Sequence, residues 1–136
     1  EKAPVPSRRI MAIEKLQKLG FDVQLRLSPY IEEYIDLEKL NKVKCDNILV
    51  EFLRVNHWVK KWFNVDYSKY VVKQSGYEHL ELSTKIEMIS KIVGFKEVTV
   101  CEDVDEHYLY WKEHYNANKN DCCNLRVTSN GPKIDV

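Results

Sequence analysis

The chain has 136 residues, which is enough for one domain with a single modest core. Hydrophobic residues make up 44% and charged residues 31%, a composition typical of globular rather than disordered chains. Because 21 Lys and Arg residues balance 21 Asp and Glu residues, no overall basic field attracts nucleic acid or a membrane surface. No apolar run approaches the roughly 20 residues that span a bilayer, and we expect a cytoplasmic protein.

The first half of the sequence alternates between helical and strand patterns. Apolar residues recur at helical spacing over residues 6–19. Residues 21–29 then alternate between apolar and polar side chains, which predicts a strand that Pro29 ends. A short helix over residues 36–43 precedes a nearly continuous apolar run at 46–55, the pattern of a strand buried on both faces.

The second half continues this alternation around an irregular, Tyr-rich stretch. We predict that this stretch is an insertion or a lid, and that the chain ends in a polar tail that is partly disordered. In order, the predicted parts are a helix over 56–63, the insertion over 64–80, a helix over 83–93, a strand over 97–101, a helix over 104–115 and the tail over 116–136.

Strands that alternate with helices predict an α/β fold with a parallel sheet. Three strands make a thin sheet, whose edges would lack neighbours on the sides where further strands belong. We therefore predict that residues 1–115 are parallel βα units, the C-terminal portion of a partial TIM-type barrel. We also expect that an open sheet edge of this kind favours self-association.

Polar residues toward the carboxyl ends of the first two predicted strands are the candidate ligand-binding groups. Ligands of parallel α/β sheets bind at that edge. Arg26 offers a fork of N–H donors suited to a carboxylate, and Ser28 places a hydroxyl on the same side of the strand. Glu51 interrupts an apolar strand, which is costly unless it pairs with an Arg such as Arg26 or points into a site. The alternative is an ordinary surface pairing of Arg26 with Glu32 or Glu33.

Acidic residues and histidines gather after the third predicted strand. The favoured interpretation of the acidic residues is carboxylates at a helix N-terminus, and the alternative is a divalent metal site. The two histidines lie seven residues apart, wider than zinc-binding helices use, so we expect them to be structural. The residues concerned are Glu102, Asp103, Asp105, Glu106, His107 and His114.

The four cysteines are Cys45, Cys101, Cys122 and Cys123, and we expect reduced thiols rather than a disulfide framework. If the tail folded back on the last strand, Cys101 would meet Cys122 and Cys123. These three are therefore the candidate ligands for zinc or an iron–sulfur cluster. The side chains of adjacent cysteines tend to diverge, which disfavours a single shared metal, so we predict no metal site.

Three phrases near the start of the chain carry a family resemblance. Residues 3–10 are APVPSRRI, residues 12–16 are AIEKL and residues 20–29 are GFDVQLRLSP. They resemble the middle of radical SAM proteins, especially the branch that includes spore photoproduct lyase-like proteins. The resemblance covers residues 1–55, and further on it rests on the strand–helix order and the phrase VTVCE at 98–102.

The resemblance implies a partial parallel barrel that holds a four-iron–four-sulfur cluster and S-adenosylmethionine. It implies that Arg26 and Ser28 lie by the amino-acid end of that cofactor, and that the end of the second strand, from Leu53 to Asn56, lies near its adenine. The cysteines of this chain cannot form the family's Cys-x3-Cys-x2-Cys cluster motif, and the strand at 22–28 lacks the family's Gly-x-Ile-x-Gly-x-x-Glu phrase. The chain also opens without a methionine, within a charged phrase, so we expect a fragment.

We therefore hypothesise that the chain is the C-terminal part of a radical SAM enzyme of unknown substrate. It would contribute part of the S-adenosylmethionine site, hold neither cofactor on its own and be catalytically incompetent alone. Its expected partner is the missing N-terminal part of the same chain.

The alternative is a self-contained α/β interaction domain that meets a partner through exposed aromatic side chains. A nucleic-acid role, by analogy with the lyase branch, gains no support from the net charge, so nucleic acid is not expected as a partner. The aromatic residues of the alternative are Trp58, Trp62, Tyr67, Tyr70 and Tyr77.

Overall fold

The computed structural model describes residues 7–116 and 134–135, which form a mixed α/β fold with a parallel sheet and a small antiparallel hairpin. The helices are α1 (Ser7–Lys18), α2 (Leu37–Leu40), α3 (Leu82–Ser90) and α4 (Asp105–His114). The strands are β1 (Val23–Tyr30), β2 (Asn47–Phe52), β3 (Val72–Gln74), β4 (Tyr77–His79), β5 (Glu97–Cys101) and β6 (Ile134–Asp135). Three 3-10 turns span Glu32–Tyr34, Val59–Lys61 and Tyr67–Lys69.

The parallel sheet has the strand order β5-β2-β1-β6. Leu25 lies beside Ile48 across β1 and β2, and Val50 lies beside Val100 across β2 and β5. The predicted βα alternation is thus confirmed for the three longer strands, β1, β2 and β5. The described strands form an open sheet and not a closed barrel. The two-residue strand β6 falls inside the predicted tail and pairs with β1.

The core is built around β2. Ile48, Leu49 and Val50 are fully buried, which confirms the prediction of a strand covered on both faces. Helix α1 packs against β1 and helix α4 against β5. These helices bury Ile13 and Trp111 respectively. Among the helices of the described residues, none has the length and apolarity that crossing a membrane requires.

Strand β1 continues past the position where we predicted its end. It runs through Pro29 to Tyr30, and its register with β2 shifts between Leu27 and Tyr30. Proline lacks an N–H, and an irregularity of this kind is one of the few places where a strand accommodates it. The prediction that Pro29 ends the strand was therefore wrong.

The segment between β2 and α3 also differs from the prediction. The expected helix over 56–63 is only a 3-10 turn, although Asn56 does cap it, since its Oδ1 accepts a hydrogen bond from the Val59 N–H at 3.0 Å. Aromatic and β-branched residues have low helix propensity, which accounts for the short turn. The predicted insertion contains the hairpin β3–β4, and this hairpin joins the chain after β2 through two backbone hydrogen bonds of 2.8 Å between Val55 and Glu78.

The predicted tail begins with a buried residue. The Asn116 side chain accepts a hydrogen bond from the Val100 N–H at 2.9 Å and donates one to the Val100 carbonyl at 3.0 Å. Asn116 thereby occupies both outward backbone groups of one residue on the edge strand β5. The remainder of the predicted tail, apart from β6, lies outside the described residues.

Gly94 packs against the backbone of Asn41 so closely that a side chain has no room. A Cβ at position 94 would lie 2.2 Å from the Asn41 carbonyl oxygen and 2.8 Å from its carbonyl carbon. Asn41 is held in place, because its side chain donates to the Lys91 carbonyl and accepts from the N–H groups of Val93 and Gly94.

We therefore expect Gly94→Ala to lower the free energy of unfolding by about 1–3 kcal/mol, measured by urea denaturation. The neighbouring variant Val93→Ala is the control, because Val93 is 73% exposed. It should change the stability by less than about 0.5 kcal/mol. An equal loss in both variants would contradict a steric origin at Gly94.

Candidate functional site

Three residues that we predicted at the site come together on β1 and β2. The Ser28 hydroxyl donates a hydrogen bond to Glu51 Oε1 at 2.6 Å, and Arg26 Nη2 lies 3.8 Å from the same oxygen. Glu51 therefore forms the predicted pair with Arg26. Glu32, one of the two alternative partners considered for Arg26, forms an ion pair with Lys91 at 2.7 Å. Toward the carboxyl ends of two adjacent parallel strands, the structure thus groups a guanidinium, a hydroxyl and a carboxylate.

This group of side chains is open to solvent. Arg26 and Ser28 are the exposed residues of β1, where most of the other side chains are buried. Cys101 ends β5 as the register partner of Glu51 and is half-buried. One face of the sheet therefore presents polar groups near its carboxyl edge.

Residues 53–56 are the segment that the resemblance implies near the adenine. The Leu53 side chain is buried in the core, and the Asn56 side chain caps the turn that follows. Between them, Arg54 pairs with Asp103 at 3.3 Å and lies over the ring of Tyr77, 4.7 Å from its centroid. Arg54 is thus the polar side chain that this segment directs toward the turn after β5, and it lies within the stretch from Leu53 to Asn56 that we expected near the adenine.

A second cluster, whose lysine was absent from the sequence-based expectation, is buried beneath the same edge. We call it the Lys85 cluster, and it consists of Lys85, Glu102, His107 and Trp111. The Lys85 side chain is 0% exposed, and its Nζ lies 2.9 and 2.8 Å from the two carboxylate oxygens of Glu102. The same Nζ lies 3.0 Å from His107 Nδ1, and the Trp111 indole N–H donates to Glu102 at 2.8 Å.

Glu102 also organises the start of α4. Its Oε2 accepts hydrogen bonds from the N–H groups of Asp103 at 3.1 Å and Val104 at 3.2 Å. Val104 stands at the N-cap position and has no side-chain hydrogen bond of its own to offer. The favoured interpretation of the acidic cluster, carboxylates at a helix N-terminus, is therefore confirmed for Glu102. Removal of one partner from a buried pair of this kind typically costs about 3–5 kcal/mol.

The titration of the cluster follows from its burial. Burial lowers the pKa of Lys85, and the Glu102 carboxylate opposes that effect. Burial also lowers the pKa of His107, and the Lys85 ammonium acts in the same direction. The pKa of the neighbouring His79 is lowered as well, chiefly by burial. The imidazole rings are therefore neutral near pH 7, and His107 can accept a hydrogen bond from Lys85.

The cysteines and acidic residues form no metal centre in the part of the chain that the structure describes. Cys45 lies before β2, at the amino end of the sheet, where its thiol is buried against the carbonyl oxygens of Val23 and Asn47. Burial raises the pKa of that thiol. Cys101 lies at the opposite end, and Cys122 and Cys123 fall outside the described residues.

Only part of the aromatic surface considered for the alternative function is exposed. Trp58 and Trp62 are 59% and 71% exposed, and Lys61 Nζ lies 4.7 Å from the centroid of a Trp58 ring. Tyr70, in contrast, is buried in the core. Tyr67 is half-buried and donates to the carbonyl oxygens of Val59 and Phe63. The expectation of an exposed surface was therefore wrong for Tyr70.

Comparison with known proteins gives no relative: no family model, no curated protein and no solved structure matches this chain. Geometry and chemistry are therefore the basis for a functional assignment.

The lowered pKa of His107 makes the stability depend on pH in a defined direction. The folded imidazole loses its proton more readily than the unfolded one, whose ordinary pKa is 6.5. The unfolded state therefore binds more protons below that pH, and the free energy of unfolding should fall as the pH decreases from about 6.5 toward 5. Full uptake of one extra proton corresponds to a slope of about 1.4 kcal/mol per pH unit.

We expect His107→Gln to reduce this slope, because a neutral amide can accept the Lys85 hydrogen bond without titrating. Urea denaturation of both proteins between about pH 7 and 5 measures the difference. Carboxylates contribute to the slope in both proteins, so the comparison isolates the histidine. Equal slopes would show that His107 does not titrate differently on folding.

Proposed function

We propose that this chain forms one wall of an S-adenosylmethionine site in a radical SAM enzyme with a partial parallel barrel. The observation that carries the proposal is the grouping of Arg26, Ser28 and Glu51 on the exposed face of two adjacent parallel strands. The edge near the carboxyl ends of such strands is where α/β proteins bind their ligands. The parallel order of β1, β2 and β5 supports the barrel-type architecture, because barrels of this kind are built from adjacent parallel strands.

The charges of the group match the amino-acid end of S-adenosylmethionine. That end carries one carboxylate and one ammonium group. The planar guanidinium of Arg26 suits the carboxylate, because it offers paired N–H donors. The carboxylate of Glu51 suits the ammonium, and the hydrogen bond from Ser28 at 2.6 Å holds that carboxylate in orientation. The adenine end would then lie along residues 53–56, beside Arg54.

The iron–sulfur cluster of this enzyme class does not fit the described residues. When bound, such a cluster supplies the electron that cleaves S-adenosylmethionine, and it needs three thiolate ligands. Cys101 lies at the carboxyl edge and Cys45 near the opposite end of the sheet. We therefore propose that a Cys-x3-Cys-x2-Cys loop in an N-terminal part of the same protein holds the cluster. The residues of this chain would bind and orient the cofactor.

The test uses the protein expressed from its whole open reading frame and measures its affinity for S-adenosylhomocysteine. This compound carries the same amino-acid end as S-adenosylmethionine and is not cleaved. We expect Arg26→Lys to raise the dissociation constant about tenfold or more, because lysine cannot form the bidentate pair. Glu51→Gln should weaken binding in the same titration, since it removes the charge that faces the ammonium. Isothermal titration calorimetry provides the measurement.

Lys96→Gln is the matched control for this test. Lys96 is an exposed lysine that pairs with Asp46 at the amino end of the sheet, 3.6 Å away. Its replacement should leave the affinity unchanged. Wild-type protein that does not bind S-adenosylhomocysteine would overturn the proposal, and so would a Cys-x3-Cys-x2-Cys phrase missing from the complete reading frame.

A second candidate function, recognition of an acidic protein segment, is favoured by the exposed Trp58 and Trp62. Lys60 and Lys61 lie between them, and no acidic residue occurs from position 52 to position 65. Exposed tryptophans beside cations are typical of interaction sites for anionic partners.

Titration with an acidic peptide at low ionic strength should quench the tryptophan fluorescence if this surface binds it. The double variant Trp58→Phe and Trp62→Phe should lose that response, while Trp111 keeps reporting that the protein is folded. A fluorescence spectrum that the peptide leaves unaltered would exclude this second function.

A further inference from the structure

Lys85 makes direct contact with the end of the central strand. Its Nζ lies 5.3 Å from the ring centroid of Phe52, the last residue of β2. Phe52 in turn stacks on Tyr30, the last residue of β1, and on Trp111 of α4, with ring centroids 6.0 and 6.1 Å apart. The ammonium of one buried lysine therefore lies against Phe52, whose ring stacks on the aromatic residue that ends the neighbouring strand.

A chain of contacts leads from the same lysine to the surface. Lys85 holds the carboxylate of Glu102, which accepts the N–H of Asp103. The Asp103 carboxylate pairs with Arg54 at 3.3 Å, and its carbonyl accepts a hydrogen bond from Gln74 at 2.6 Å. The turn after β5, the segment after β2 and the hairpin β3–β4 thus meet at one residue, and Glu102 fixes the backbone of that residue.

Helix α3 is anchored to this edge a second time. The Tyr30 hydroxyl donates a hydrogen bond of 3.1 Å to the carbonyl of Met88, three residues after Lys85. The lysine therefore stands on a helix whose position is set independently of its ion pair, so its ammonium can serve as a fixed point for Glu102.

We infer that Lys85 is a positioning residue for the ligand site at the carboxyl edge of the sheet. It acts through Glu102 and Asp103 on Arg54. Because the Lys85 side chain is 0% exposed, it cannot touch the ligand itself. The inference rests on the proposed function only for the identity of the ligand, which would meet Arg54 with its adenine end.

The chemistry explains why this position needs a cation. An apolar side chain at position 85 would leave the Glu102 carboxylate buried without a counter-charge. That carboxylate would then take up a proton or turn toward water. Either change weakens its hold on the N–H groups of Asp103 and Val104, and Asp103 would no longer present its carboxylate to Arg54 in one place.

Two variants separate this role from the role of the ion pair in stability. Lys85→Met with Glu102→Gln removes both buried charges together, which keeps the protein folded more readily than the single change. Asp103→Asn leaves the buried pair intact and weakens only the link to Arg54. Lys96→Met is the control, a lysine removed from the opposite end of the sheet.

The measurements are made on the protein from its whole reading frame. The first is the ¹H–¹⁵N signal of the Arg54 Nε–H group, assigned through Arg54→Lys, and the second is the dissociation constant for S-adenosylhomocysteine. We expect both Lys85→Met/Glu102→Gln and Asp103→Asn to shift and broaden the Arg54 signal. Both should also raise the dissociation constant about tenfold, because misplacement of a binding group by a distant change has effects of this order. Lys96→Met should change neither quantity.

The outcomes are distinct for the two proposals. If the wild-type protein does not bind S-adenosylhomocysteine, the proposed function fails, while the Arg54 signal still decides the role of Lys85. If Lys85→Met/Glu102→Gln lowers the thermal stability but neither shifts nor broadens the Arg54 signal, and the dissociation constant stays within about twofold of wild type, Lys85 is a stability residue only. The inference is then overturned.

Discussion

The arrangement of the carboxyl edge depends on one buried ion pair, between Lys85 and Glu102. Two charges removed from water are tolerated only when every hydrogen-bonding position is used. Here the carboxylate receives the lysine, the Trp111 indole and two backbone N–H groups, and the lysine also reaches His107. Since these partners come from α3, the turn after β5 and α4, one pair aligns three separate parts of the chain.

The sequence predicts the sheet well because its signal is local. A short, continuous apolar run rich in β-branched residues is typical of a strand covered on both faces, and this is how Ile48, Leu49 and Val50 are placed. The same holds for Arg26, Ser28 and Glu51, whose grouping follows from the two-residue period of strands and from the cost of an unpaired carboxylate. The hairpin β3–β4 was not predictable, because three-residue strands depend on the distant pairing of Val55 with Glu78.

The sequence did not predict the burial of Lys85, although the helical periodicity places position 85 on the buried face. A lysine is almost never fully buried, so the helix pattern was assigned to its apolar neighbours. Yet position 85 lies four residues before Ile89 and seven before Ile92, on the face that the helix and the following turn bury. The acidic residue directly after a buried strand, Glu102, is the partner that such a lysine requires. A charged residue on a buried stripe together with an opposite charge at a strand end is therefore a usable signal.

The side chain of Asn116 has a consequence for the growth of the sheet. Its amide turns one N–H donor and its oxygen acceptor toward Val100, and it already satisfies both backbone groups of that residue on the outer side of β5. A further strand arriving on that side would have to displace a substitute that makes the same hydrogen bonds. Such an exchange gains little from hydrogen bonding, so whether the sheet extends depends on the apolar surface that the incoming strand buries. A single asparagine thus makes the outer edge of β5 accept only a strand that also buries enough apolar surface.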